Sequence, residues 1–343
     1  MKLRGHSHAA WQRLDDERLL DMRLCDLGLR IEGSPVESQV ERLYRDLEAR
    51  SIKFRPHCWI AEEWFSPDGV PGFAVPFYIL HPRLKILQRR FMGEVEGGNA
   101  QSLMRILRHE AGHAIDTAYR LRRRKKWREN FGYASTPYPQ HYRPRPGSRR
   151  YVQHLGNWYA QSHPTEDFAE TLAVWLTPRS DWRNRYAGWP AIHKLNYVDE
   201  LMREIHDEVP VSRARYHVEP LRSARWTLRE HYRRMARHYR TDDAERMDRI
   251  LGRVFTPNRS RRGQATAARR LREDLPIFRR RIARRLGASE YLVQEVVENL
   301  IYRCAAHGLL VRDDWRDTRR RVERLIIALV RRAMRNAGPK LAL

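Results

Sequence analysis

The sequence predicts an α+β chain: a mostly helical domain carrying a small antiparallel sheet, followed by an all-helical C-terminal domain. Three observations predict it. Apolar residues recur at helical spacing over most of the 343 residues. One pair of segments, 57–64 and 72–80, is instead aromatic and β-branched with a turn cluster between its members. From Ser223 onward the pattern is helical throughout and strongly basic. These shifts divide the chain into an N-terminal helical segment at 1–33, a domain at 34–220 and a basic helical domain at 221–343.

Residues 10–30 read as a short amphipathic helix and a connection. Ser34-Pro35-Val36-Glu37 has the form of a capping box with proline in the first turn, opening a helix to about Arg50. The two extended runs are joined by Ser66-Pro67-Asp68-Gly69-Val70-Pro71, which predicts a β-hairpin. Pro82 to Met92 reads as a short helix, and Gly97-Gly98 breaks it. Asn99 is then an N-cap for a long helix to about Leu121, with Leu103, Ile106, Leu107, Ala111, Ala114 and Ile115 on its apolar face. Arg122 to Gly156 is a long connection, basic at Arg122-Arg123-Arg124-Lys125-Lys126 and rich in Tyr and Pro after that. A connection of that length serves as a lid or binding segment, or is a solvated insertion. Thr165 caps the next helix, whose stripe is Phe168, Leu172, Trp175 and Leu176, and Pro178 ends it. Residues 179–208 read as helical. The C-terminal helices run roughly 223–240, 241–254, 268–286, 289–307 and 313–336, with Thr241 and Ser289 as caps and Gly287 and Gly308 as stops.

The long helix contains His109-Glu110-Ala111-Gly112-His113. Residues four apart on a helix lie about 40° apart around its axis, so His109 and His113 share a face and can bind one metal. Glu110 sits beside them, where it can take a proton from a water held by that metal. A catalytic zinc ion takes three protein ligands and leaves one position open. The helix capped at Thr165 offers Glu166 and Glu170 one turn apart. Glu166 is the expected third ligand, with His163 as its rival, and Glu170 the acceptor that orients a ligating histidine. The bland reading of both carboxylates is ordinary first-turn helix charge. Asp116, one turn past His113, is either a support for a ligand or a solvated helix residue.

These residues resemble the gluzincin zinc metallopeptidases. The likeness lies in His109-Glu110-x-Gly112-His113-Ala114-x-Asp116 and Tyr119, followed by Glu166-Asp167-Phe168-Ala169-Glu170. It is nearest to the lethal-factor-like and Pro-Pro endopeptidase branch and to the bacterial "putative zinc-binding metallopeptidases". The resemblance covers about residues 50–210 and implies a zincin-like fold for the first domain. It implies that Tyr159, seven residues before Glu166, donates to the oxyanion of a tetrahedral intermediate. It also implies that the run at 72–80 is an edge strand over the active helix, where an extended peptide can pair. The activity so implied is hydrolysis of peptide (amide) bonds in a peptide or protein substrate, by a metal-activated water with Glu110 as general base and Zn2+ as cofactor.

Composition bounds the rest. Net charge is +25, and residues 221–343 carry 32 Arg and Lys against 14 Asp and Glu. That concentration raises a second reading, a nucleic-acid-associated protease or binding protein acting through a polyanion-binding C-terminal domain. The excess of Arg over Lys, 60 to 7, equally fits a compositional bias of the whole chain. A third reading keeps the metal for structure alone. Cys25, Cys58 and Cys304 are odd in number and far apart, which argues against a cysteine zinc site and for a reducing cytoplasm. The first residues carry no apolar secretion-signal core, and no apolar run is long enough to span a membrane. The expectation is therefore a cytoplasmic protein without a membrane partner.

Overall fold

In a computed structural model of the chain, the structure describes residues 10–92, 95–139, 144–145, 147–156, 158–238, 242–256, 265–288, 290–312 and 314–336. The helices are α1 (Asp16–Leu20), α2 (Glu37–Glu48), α3 (Pro82–Met92), α4 (Ala100–Tyr119), α5 (Lys125–Phe131), α6 (Pro164–Leu176), α7 (Trp182–Arg185), α8 (Ala191–Ile205), α9 (Leu228–His238), α10 (Asp242–Val254), α11 (Ala267–Leu286), α12 (Glu290–Ala306) and α13 (Trp315–Asn336). Two strands, β1 (His57–Ala61) and β2 (Gly72–Pro76), form the sheet. The chain divides into two compact units, Met1–Gln88 with Val95–Met235, and Arg89–Glu94 with Ala236–Leu343. No described helix is long and apolar enough to cross a membrane.

The first unit is built around α4 and α6, which pack on each other. Both are buried over most of their circumference, as expected of helices apolar on more than one face. α2 and β2 also cover α4, while α5 and α8 cover α6. Trp127 and Phe131 of α5 pack against Phe168 of α6, with ring centroids 5.8 and 5.4 Å away. Burying side chains of this size contributes roughly 1.5–3 kcal/mol each. The N-terminal segment is tied to residues 224–228 by backbone bonds from Leu24 to Trp226 and from Leu228 to Met22.

The sheet is parallel, not the antiparallel hairpin expected from its sequence. His57 pairs with Gly72 and Ala61 with Pro76 in parallel register. The reason lies in the connection. Rather than turning tightly, it runs back along the far side of β2, where Phe65 accepts from the Ala74 N–H at 2.8 Å. The Gly72 N–H is bonded to Val70 at 2.8 Å, and Pro76 has no N–H. The N–H groups of β2 that face away from β1 are thus already used or missing. The expected pairing of an extended peptide along this edge has no donors left there.

Two helix starts differ from the sequence reading in detail. Glu37 accepts from the Gly33 N–H at 2.8 Å, one residue before the expected Ser34. The N-cap of α6 is His163, whose Nδ1 accepts from the Thr165 N–H at 3.2 Å, with Pro164 in the first turn. Residues 179–208, read as helical, hold two helices, with Gly188 (φ 72°) and Pro190 between α7 and α8. Asn99 does cap α4, accepting from the Ser102 N–H at 2.9 Å while the Ser102 hydroxyl lies 3.3 Å from the Asn99 N–H.

The second unit holds α10 to α13 around an apolar core that includes Leu251, Phe255, Phe278, Ile282, Val297 and Ile326. Thr266 caps α11 and Gly287 ends it in the left-handed region (φ 62°). Asp274 accepts from the Trp315 indole at 3.0 Å and from Arg319 at 2.9 Å, pinning α13 to α11. The expected caps Thr241 and Ser289 lie outside the described residues.

Candidate metal centre

α4 and α6 cross at a point of unusually close approach. A Cβ built on Gly112 would lie 2.8 Å from the Ala169 Cα, closer than real Cβ contacts come. Glycine at that position lets the backbones meet, and the meeting brings one turn of α4 against the first two turns of α6. His109 and His113 project from α4 toward Glu166 of α6. Glu166 Oε2 lies 3.0 Å from His109 Nε2 and 3.1 Å from His113 Nε2, and the two imidazole nitrogens are 3.1 Å apart. Three ligands of a tetrahedral zinc ion, with bonds of about 2.1 Å, are separated by roughly 3.4 Å. The donor set therefore matches zinc in type, number and spacing. No other group of three or more metal-ligating side chains occurs among the described residues.

Buried charge is costly unless it is paired, and most charged groups on these helices are paired. Arg108 binds Asp46 at 2.7 Å. His109 Nδ1 lies 2.9 Å from Glu170 Oε1, whose other oxygen accepts from the Leu155 N–H at 2.8 Å. That contact orients the His109 ring so that Nε2 faces Glu166. Asp116 is occupied elsewhere: both its oxygens bind Arg122, at 2.8 Å to the backbone N–H and 2.7 Å to Nε. Its position therefore braces the end of α4 against the following turn. Glu110 is different. It is buried beside the histidines, and its Oε2 has no hydrogen-bond partner among the described residues. Such an orphaned buried acceptor calls for an occupant not supplied by the chain, and a water at the open metal position fits it.

The electrostatics follow from this packing. Burial alone raises Glu166, but His113 and the two imidazole contacts outweigh it and hold the carboxyl well below its ordinary range. Burial pushes Glu110 up, with His109 and His113 opposing. The Tyr159 hydroxyl is driven well above its ordinary value by burial and by the charges of Glu166 and Glu110, so it stays a neutral donor. Its ring centroid is 5.5 Å from that of His109. The preceding Trp158 sits in the left-handed region (φ 53°), a strained conformation for a side chain of that size that sets the direction of the 159–161 turn.

His163, the rival ligand, does not face the site. Its Nε2 points to the Thr136 carbonyl at 2.7 Å and its Nδ1 to Thr165, so both ring nitrogens are engaged. Two contributors were missed in the sequence. Helix α5 lies inside the long connection, hidden by its short length and basic flanks. Tyr138, further along the same connection, places its hydroxyl 2.9 Å from Glu166 Oε1. Nothing in the sequence beyond its place in an aromatic-rich stretch marks that tyrosine.

The fold and the site define an α+β protein with a zinc-type His–His–Glu centre. A family model described as a putative zinc-binding metallo-peptidase matches residues 88–186, the span that holds α4, the long connection, Tyr159 and α6. No curated protein and no solved structure is significantly similar to the chain. The family match and the buried ligand group together make zinc the cofactor.

Proposed function

We propose that this protein is a gluzincin-type zinc peptidase that hydrolyses peptide bonds. When bound, zinc supplies Lewis acidity that polarises a carbonyl and lowers the pKa of a water. The chain's own groups account for the remainder. His109, His113 and Glu166 hold the ion, and Glu170 fixes the His109 ring through Nδ1. Glu110 takes the proton from the attacking water and passes it to the leaving amine. Tyr159 donates its O–H to the carbonyl oxygen as charge builds in the tetrahedral intermediate. Glu110 Oε2 carries the reading, because a buried carboxylate oxygen without a protein partner beside three metal ligands has no structural task. A metal site kept for structure alone would have no use for it.

The test is digestion of a peptide library, followed by mass spectrometry. Zinc-reconstituted wild type should cleave the library, and Glu110→Gln should bind zinc equally while cleaving nothing above background. Equal cleavage by both would remove Glu110 from the mechanism. No cleavage by either, with zinc bound, would favour a non-catalytic role.

A further inference from the structure

The connection between α4 and α6 returns over the first turn of α6, and Tyr138 makes the contact that matters. Its ring stacks flat on His163, with centroids 3.7 Å apart and planes 14° apart. The same His163 holds the Thr136 carbonyl at 2.7 Å, so the approach of the segment is fixed at two points. The Tyr138 hydroxyl then reaches past the cap. It donates to Glu166 Oε1 at 2.9 Å and lies 2.6 Å from the Thr165 hydroxyl.

The two oxygens of Glu166 are thereby given different tasks. Oε2 faces the imidazole nitrogens of His109 and His113, at 3.0 and 3.1 Å. Oε1 is turned away to the phenol. A carboxylate free to rotate can offer a metal both oxygens, which fills the position a reacting water needs. One held by a hydrogen bond on its second oxygen offers a single atom. Neighbours that bind a ligand's second atom tune metal sites in this way.

We propose that Tyr138 is a positioning residue that commits Glu166 to one ligand oxygen and so keeps the fourth metal position open to water. This rests on the zinc reading of the site. It also gives the long connection a task, because that segment carries the group that would set the metal's coordination. Tyr138 remains 47% exposed, so the contact is made by a side chain that solvent still reaches.

The experiment uses the full chain loaded with cobalt(II) alone, whose visible spectrum reports coordination number without any substrate. Wild type should show the intense bands of a four-coordinate site. Tyr138→Phe keeps the stack on His163 and loses only the hydroxyl. Its bands should weaken severalfold, as in five-coordinate cobalt, and its zinc affinity, measured against a competing chelator, should change about tenfold or more. Tyr138→Ala, which removes the stack as well, should show the same spectral change. Spectra and zinc affinities of both variants that overlay on wild type would overturn the proposal. Failure of wild type to take up any cobalt would instead overturn the zinc reading beneath it.

Discussion

Gly112 and Ala169 meet where α4 crosses α6, so closely that a Cβ on the glycine would lie 2.8 Å from the alanine Cα. The metal site depends on that contact. Gly112 immediately precedes His113 on α4, and Ala169 immediately precedes Glu170 on α6. The spacing of the helices at this point decides whether Glu166 reaches both imidazoles. Gly112→Ala must push the backbones apart. It should destabilise the fold by about 1–3 kcal/mol, the usual range for forcing a methyl group into packed core, and weaken zinc binding. Chemical denaturation of the metal-free protein and a zinc competition titration measure the two effects separately. An unchanged zinc affinity would show that the crossing point does not control the site.

Glu110→Gln keeps the shape of the side chain and removes the proposed base. Zinc content should stay at the wild-type value, while turnover falls by about 10²–10⁴, the range for loss of a general acid–base group. Single-turnover kinetics on a cleaved library peptide measures the drop. A variant retaining more than a tenth of wild-type turnover would require another base.

Glu170→Gln weakens the acceptor at His109 Nδ1. Because His109 Nδ1 lies 2.9 Å from Glu170 Oε1, the loss should loosen zinc by about 10–100-fold without changing which residues bind it. Dissociation of zinc to a chelator, followed in time, reports the change. Dissociation at the wild-type rate would mean that the ring is held by packing alone.

His154 gives the fold a pH dependence. Burial pushes its pKa down to about 4, against the opposing charge of Glu170 and its bond to the Arg105 carbonyl. The unfolded chain takes up that proton near pH 6.5 and the folded chain only near pH 4. The stability linked to this group is therefore present above the unfolded value and is lost as pH falls across that window, by about 3 kcal/mol in total. His154→Gln, which retains an N–H donor, should show a correspondingly shallower loss. Denaturant melts of both proteins from pH 7 to 4 make the comparison, and parallel curves would contradict it.

Much of the centre was legible because helical spacing converts directly into geometry. His109 and His113 share a face by periodicity alone, and Asn99 announces the start of α4. The chain order of Glu166 and Glu170 also placed them one turn apart on α6. What was illegible depends on distant segments. The direction of β2 is decided by where Phe65 pairs with Ala74, and the alternation of aromatic residues carries no information on that. The cap of α6 is an imidazole rather than the neighbouring threonine, because His163 is also held from outside by Thr136. Tyr138 reaches Glu166 across 28 residues of chain, and no local pattern records such a contact.

The most direct test of the His–His–Glu zinc centre is zinc content by elemental analysis on purified wild type and Glu166→Ala, each reconstituted and dialysed alike. Close to one zinc per wild-type chain and near-complete loss in the variant are expected, because His109 and His113 alone supply only two of the three protein donors a catalytic zinc site uses. Wild type that retains no zinc, or a variant that retains as much as wild type, would contradict it.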